Sequence, residues 1–349
     1  MCPHRTVTDV ARRPILITGS AGLIGTAVIA RLIRQGRSVI GVDVRKGLAT
    51  VTTDILDLDP AADYLRDIAG IIHLAAVSRV IDAERDPLHC AEVNVEGTRR
   101  LLESVTAAPR RPWFLYASSR EIYGQQSAMP VSENADAKPM NTYAKSKWIA
   151  EGLVQAARQK GLHAAIMRFS NVYGAVQDHA TRVVPAFVAQ ALVNAPLQIE
   201  GANHTFDFTY IDDVAEGITR LADHMDSQEY APTPIHFVTG RPTTLGELAT
   251  LTISLTASDS TLLSAPPRTF DVAHFVGDPR YAASLLRWKA EHSLEKGLSR
   301  MIAEWRQTLT KASDPNTSYG HAVKGLRHVD KADPSLIPPA KPHAVDAKA

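Results

Sequence analysis

The chain has little cysteine. Among 349 residues there are two, Cys2 and Cys90, so a fold stapled by disulfides is excluded and a reducing compartment, the cytoplasm, is the default expectation. It has no charge excess either. Thirty-eight Lys and Arg oppose 37 Asp and Glu, for a net charge of +1, which leaves no basic surplus to neutralise a nucleic-acid backbone. It also lacks an unbroken apolar run long enough for a membrane. The nearest approach, Ile15 to Ile33 behind Arg12-Arg13, superficially resembles a signal peptide or a span. Gly19, Ser20, Gly22 and Gly25 interrupt it, and no small-residue cleavage pattern follows. A buried strand, a tight turn and a buried helix account for it better. No second His or Cys falls at metal-ligand spacing near His73, and no internal repeat is visible. What is left is an ordinary globular composition, 45% apolar and 21% charged, with length enough for one large or two smaller domains.

The periodicities that are present alternate. Short apolar runs at Pro14–Thr18, Ser38–Val42, Ile71–Leu74, Trp113–Ala117 and Ala164–Phe169 read as buried strands. Between them Leu23–Gln35, Leu88–Ala107 and Thr142–Lys160 have helical character and stop at Gly36, Pro109 and Gly161. Strand and helix in turn indicate βαβ units on a parallel sheet. After Gly174 the alternation weakens to helices at Val183–Asn194, Asp212–Met225, Leu245–Ser254 and Leu294–Thr308 and one strand at Pro234–Val238. The expected division is a loose leader (1–13), a nucleotide-binding α/β domain (14–175) with returns near 207–240, a smaller mixed α/β domain (176–310) and a disordered tail (311–349) poor in large apolar residues.

Two local patterns carry chemistry. Gly19-Ser20-Ala21-Gly22-Leu23-Ile24-Gly25 joins the first strand to the first helix. Its glycines permit a sharp turn and close approach of a phosphate to unpaired helix N–H groups. The spacing is Gly-x-x-Gly-x-x-Gly rather than the commoner Gly-x-Gly-x-x-Gly, and a turn that merely packs a helix on a strand would need the same residues. Asp43 follows the second strand, 18 residues after Gly25, close to where a ribose-binding carboxylate falls in dinucleotide folds. It favours NAD over NADP, with Arg45 and Lys46 close enough to soften that preference. The second pattern is Tyr143-Ala144-Lys145-Ser146-Lys147. On a helix, Tyr143 and Lys147 stand one turn apart on one face. An ammonium there is expected to lower the phenol from its ordinary value near about 10 and make it a proton acceptor.

Further motifs, in order along the chain, resemble the extended short-chain dehydrogenase/reductases, in particular their NAD-dependent nucleotide-sugar epimerases and dehydratases. These are the Thr18–Gly25 turn, Asp54-Ile55, His73-Leu74-Ala75-Ala76, Asn94-Val95-Glu96-Gly97-Thr98, Ser118-Ser119-Arg120-Glu121-Ile122-Tyr123-Gly124, Tyr143-x-x-x-Lys147, Arg168-Phe169-Ser170-Asn171-Val172-Tyr173-Gly174 and Asp207-Phe208-Thr209-Tyr210-Ile211-Asp212-Asp213-Val214. The resemblance spans about Ile15 to about Trp305. It implies a Rossmann-type doubly wound parallel sheet with a smaller substrate-binding domain, and NAD as cofactor. It places Gly19, Gly22, Leu23, Ile24, Gly25, Asp43, Asp54, Ile55, Leu74, Ala75, Ala76, Tyr143 and Lys147 around that cofactor, with Tyr143, Lys147, Ser119 and Glu121 as the catalytic set. Tyr143 would take the proton of a sugar hydroxyl, Ser119 would hold the reacting oxygen, and Lys147 would tune the phenol. His73 is expected to be structural, Asn94 to tie backbone segments, Asp212 and Asp213 to cap a helix and hold the domains together, and Tyr123 and Tyr173 to pack.

The same family suggests a nucleotide-sugar 4-epimerase. The alternatives are a dehydratase or decarboxylase using Glu121, a net dehydrogenase, or, least favoured, a non-catalytic NAD-binding regulator. The family's glucose dehydratases carry Asp-Glu after the catalytic hydroxyl, and Arg120-Glu121 stands here instead. Glu121 therefore either acts or pairs with Arg120. Phe206 occupies the place of an arginine that commonly holds the substrate diphosphate, so Arg182, Arg268 and Arg280 become candidates, beside Ser78 and Asn171 on the substrate side. Tyr173-Gly174-Ala175 lacks the usual proline, and Leu286-Arg287-Trp288 replaces Leu-Gly-Trp. Relatives pair the Leu88–Ala107 and Thr142–Lys160 helices across a two-fold axis, which implies a homodimer with no membrane or nucleic-acid partner.

Overall fold

The fold is described from a computed structural model, over residues 13–46, 50–59, 62–176, 178–228, 230–232 and 234–312. The expected leader up to residue 12, with Cys2, and the expected tail beyond residue 312 lie outside them. Residues 1–302 make one compact unit and the chain from Ala303 makes a second. The last helix, Leu294–Ala312, runs past the point where the tail was expected to start.

Among the described residues twelve strands form three sheets: β1 (Ile15–Thr18), β2 (Val39–Asp43), β3 (Val51–Thr52), β4 (Gly70–His73), β5 (Trp113–Ser119), β6 (Ala164–Phe169), β7 (Asn171–Tyr173), β8 (Leu197–Glu200), β9 (Thr205–Tyr210), β10 (Ile235–Phe237), β11 (Pro242–Thr244) and β12 (Leu262–Ala265). The large sheet has seven strands in the order β10-β6-β5-β4-β1-β2-β3, every pair parallel. This is the Rossmann-type arrangement, reversing direction of growth at β1. All residues of β1, β4, β5 and β6 are buried, as expected of parallel strands covered on both faces. Each buried Leu, Ile or Phe there contributes about 1.5–3 kcal/mol by leaving water.

Helices Thr98–Ala107 and Thr142–Gln159 cover one face and pack on each other; Leu23–Arg34 and Ile211–Ser227 pack together as a second pair. The latter pair is fastened by Arg31, whose Nε donates to Thr219 and whose Nη2 meets Glu216 at 3.5 Å. The later part of the chain thus returns to the large sheet twice, through this helix and through β10 beside β6. Its own sheets are small: β11-β9-β7 and β12-β8. Of these strands only β10 was expected from sequence. β7, β8, β9, β11 and β12 are three to six residues long and alternate too briefly to register.

One expected helix is not continuous. Leu88–Ala107 is α-helical over Pro87–Ala91 and Thr98–Ala107, with a π-helical turn at Glu92–Gly97 between them. The widened turn surrounds Asn94, whose side chain leaves the helix to bind a neighbouring loop. Such insertions concentrate at functional sites. Asp212 and Asp213 also sit differently from expectation. The helix is capped at Tyr210, so both acids lie in its first turn, where they face the positive end of the dipole. Asp213 accepts from His292 N and Nδ1 at 3.0 and 2.8 Å. No helix among the described residues is long and apolar enough to cross a membrane.

Candidate active site

The turn after β1 is closed by contacts that leave no room for side chains. Gly19 has φ +72°, and a Cβ there would meet Ala75 N at 2.7 Å. A Cβ at Gly25 would meet Gly19 O at 2.2 Å. The following helix, Leu23–Arg34, is capped by Gly22 with no side-chain hydrogen bond and carries no acid in its first turn. Its N–H groups and dipole are therefore open to an anion brought in by a ligand, with bare backbone below it. Asp43 lies buried at the end of β2, beside this turn. Its Oδ2 accepts from Ala21 N at 2.9 Å and its Oδ1 from Arg45 N at 2.9 Å. It grips the turn as well as presenting a carboxylate next to it.

Behind the turn runs a buried relay. Thr98 Oγ1 donates to Asn94 O at 2.7 Å, so it accepts from His73 Nε2 at 3.0 Å. His73 Nδ1, left without a proton, accepts from Thr18 Oγ1 at 2.7 Å, and Thr18 Oγ1 accepts from Ala75 N at 3.2 Å. One neutral tautomer satisfies every member. Burial, helped by the Lys147 charge, holds the imidazole down at about 3. His73 is structural, as expected: it fixes Leu74-Ala75-Ala76 against Gly19. Asp54 caps the short turn Ile55–Asp57 through Leu56 N at 2.9 Å, and Ile55 is buried against Gly97.

Asn94 joins this floor to the chemistry above it. Its side chain accepts from Val77 N at 2.8 Å and donates to Val77 O at 3.1 Å and Ser146 Oγ at 2.9 Å. Ser146 belongs to helix Thr142–Gln159, capped by Asn141, whose Oδ1 accepts from Ala144 N at 2.8 Å. That helix carries Tyr143 and Lys147, both buried. Lys147 Nζ donates to Ala117 O at 3.0 Å, and lies 5.9 Å from the Tyr143 ring centre. Ser119, at the end of β5, hydrogen-bonds the Tyr143 hydroxyl and accepts from Glu121 N at 3.2 Å. Ser118, its neighbour, is buried with a hydroxyl that has no partner among the described residues.

The phenol is not lowered in this arrangement, contrary to the expectation from spacing. Burial pushes Tyr143 up to about 12, opposed by the Ser119 hydrogen bond and the Arg182 charge. Lys147 points at a carbonyl rather than at the phenol, and burial pulls its own ammonium down to about 8. Desolvation outweighs the ammonium–phenol attraction at this separation.

On the substrate side the expected residues are brought together unevenly. Glu121 is not free: Oε1 accepts from Arg120 Nη2 at 2.8 Å and Oε2 from Asn141 Nδ2 at 3.0 Å. Asn171 Oδ1 accepts from Arg120 Nε at 3.0 Å. Arg120, expected as the residue in place of an aspartate and as a possible partner of Glu121, lies buried with its guanidinium 4.5 Å over the Phe206 ring. Arg182 Nη2 donates to Ser78 Oγ at 3.1 Å and pairs with Asp178 at 3.6 Å. Arg79, which sequence reasoning missed, pairs with Asp82 at 3.3 Å and feels the charges of Arg182, Arg85 and Arg268. Arg268 stacks on Phe270 at 5.5 Å and binds Asp271 at 2.8 Å. Arg280 is held by Asp278 at 2.6 Å, with its side chain 84% exposed. Tyr123, expected only to pack, also bridges His236 Nε2 and Arg168 Nη1 through its hydroxyl, each at 2.6 Å.

Residues 15–236, well over half the chain, match the profile of the NAD dependent epimerase/dehydratase family. A UDP-glucose 4-epimerase of Mycolicibacterium smegmatis is 29% identical over 312 residues, 83% of this chain and 98% of that protein. UDP-glucuronic acid decarboxylase 2 of Arabidopsis thaliana is 29% identical over 84% of this chain and 68% of its own length. Among solved structures, MoeE5 in complex with UDP-glucose and NAD superposes with a TM-score of 0.78 at 27% identity, covering 85% of this chain and 99% of that one.

Proposed function

The chain belongs to the NAD dependent epimerase/dehydratase family, and from that premise we propose that it is a nucleotide-sugar 4-epimerase, oxidising the sugar transiently and reducing it again. NAD is the cofactor; when bound it accepts the hydride and gives it back. The residues present fit it. The side-chain-free turn at Gly19, Gly22 and Gly25 and the uncapped helix start suit a pyrophosphate, and the Asp43 carboxylate beside them suits ribose hydroxyls.

Tyr143 takes the proton of the substrate hydroxyl in its phenolate form, the minor form of a phenol held at about 12, and later returns it to the same oxygen. Ser119, already bonded to the phenol, donates to the same oxygen as it becomes a carbonyl. Lys147, fixed on Ala117 O, keeps its charge 5.9 Å from the Tyr143 ring centre. Asn141 and Asn94 hold the helix that carries Tyr143 in place.

One observation favours epimerisation over loss of water or carbon dioxide. A lyase step calls for a further group free to move protons, and the residue available for it, Glu121, has both carboxylate oxygens engaged, one by Arg120 and one by Asn141. The test is incubation of the NAD-loaded protein with UDP-, GDP-, dTDP- and CDP-sugars, read by mass spectrometry. An isomer of unchanged mass is the expected product. Loss of water or carbon dioxide, or accumulation of NADH, overturns the proposal.

A further inference from the structure

Arg120 is the most unusual side chain of the site. It follows Ser119 directly and is buried, yet only two of its three guanidinium nitrogens are used. Nε donates to Asn171 and Nη2 to Glu121, while Nη1 has no acceptor among the described residues. A buried N–H on a charged group without an acceptor is costly, and such groups mark places where a partner is supplied from outside the chain. The guanidinium is also held against movement. Phe206 lies 4.5 Å from its centre and Phe275 5.8 Å, so the plane rests on aromatic faces.

We propose that Arg120 reads the substrate sugar, its Nη1 donating to an oxygen of the ring substituents, and that the site selects a neutral sugar over an acidic one. The inference rests on the nucleotide-sugar reading above. The choice between a hydroxyl and a carboxylate follows from charge. The single positive charge of Arg120 is already matched by Glu121 at 2.8 Å. A substrate carboxylate on Nη1 would place two negative charges on one buried guanidinium, side by side and poorly screened. Nearby charge does not relieve this, because Arg79 is itself matched by Asp82 at 3.3 Å, Arg182 by Asp178 at 3.6 Å and Arg268 by Asp271 at 2.8 Å and Glu200 at 3.3 Å. A hydroxyl accepts the same N–H bonds at no such cost. Phe206 thereby has a use of its own. It does not bind a phosphate but carries the arginine that faces the sugar.

The test compares UDP-glucose with UDP-glucuronic acid on the NAD-loaded protein by calorimetry, in the wild type, Arg120→Met, Glu121→Gln and Phe206→Leu. The wild type should bind UDP-glucose the more tightly. Arg120→Met should weaken UDP-glucose about tenfold, as expected for loss of one charge-assisted bond, and shift the ratio between the two ligands. Glu121→Gln should move the preference toward UDP-glucuronic acid by about the same factor, since the guanidinium charge is then unmatched. Phe206→Leu, which keeps all polar groups, should weaken UDP-glucose by a smaller factor and guards against misfolding of the arginine variant. Tighter wild-type binding of UDP-glucuronic acid, or equal weakening of both ligands by Arg120→Met, overturns the inference. A product that has lost mass would overturn the epimerase reading while leaving the ligand ranking to stand.

Discussion

The floor of the cleft and its rim are built on opposite principles. The floor, formed by β1, β2, β4 and the helix after β1, is made of backbone. Gly19 presses on Ala75, Gly25 on Gly19, and the one polar relay, Thr18–His73–Thr98, is closed on itself. The rim is made of long charged side chains. Arg79 feels the charges of Arg182 and Arg268 there, and Arg120 lies on Phe206 between Glu121 and Asn171. A backbone floor tolerates almost no change, because a single added carbon has nowhere to go. A charged rim can exchange its parts, because a cation can be supplied from any segment that reaches the place.

The sharpest separation of the two comes from Tyr143→Phe, which touches neither. Turnover should fall by about 10²–10⁴-fold, the range for loss of a proton-transfer group, while bound NAD is retained. Loss of NAD with the activity would show that Tyr143 belongs to the floor. Gly25→Ala attacks the floor itself. With its Cβ at 2.2 Å from Gly19 O, the turn must open, at a cost of about 1–3 kcal/mol. The variant should lose its bound NAD and melt at a lower temperature, and an unchanged absorbance spectrum and melting point would refute the cradle. Arg79→Ala attacks the rim. KM for the nucleotide sugar should rise about tenfold, the equivalent of one charge-assisted hydrogen bond, with NAD content and melting temperature unchanged. An unaltered KM would remove Arg79 from the rim.

The smallest effect is one of pH. Burial keeps both His73, in the floor, and His236, on β10, neutral down to about 3, far below the ordinary value near 6.5. Above pH 6.5 neither binds a proton in either state, and their contribution to stability is complete. Below it the unfolded chain takes up protons that the fold refuses, so stability falls as pH drops from 6.5 toward 3. Melting temperature should therefore decline between pH 6.5 and 5, and His73→Gln should flatten part of that slope. A melting temperature independent of pH over that interval would mean the histidines are not held neutral.

The difference between floor and rim also explains what could be read from the sequence. Gly19, Gly22, Gly25, Asp43, Ser119, Tyr143 and Lys147 lie where spacing placed them, because each is fixed by the element it terminates or opens. Arg79 carried no signal, since nothing local says that it will stand beside Arg182 and Arg268. Arg120 was visible as a departure and as a possible partner of Glu121, but its place on Phe206 was not, because Phe206 arrives from β9 on another sheet. The long helix ending at Ala107 was legible as a helix but not as an interrupted one. The interruption serves Asn94, whose partners Val77 and Ser146 come from two other segments.

By itself the sequence determined the parallel sheet, the glycine turn after β1 and the placing of Tyr143 and Lys147 one turn apart on a helix, because strand burial, glycine conformational freedom and helical spacing are local properties. Tertiary structure alone decided the state of these groups. It raised Tyr143 to about 12 instead of lowering it, since removal from water outweighs a lysine aimed elsewhere. It also chose, of the two readings open for Glu121, the pairing with Arg120, and added Asn141 as a second donor, since a buried carboxylate must find donors wherever the fold brings them.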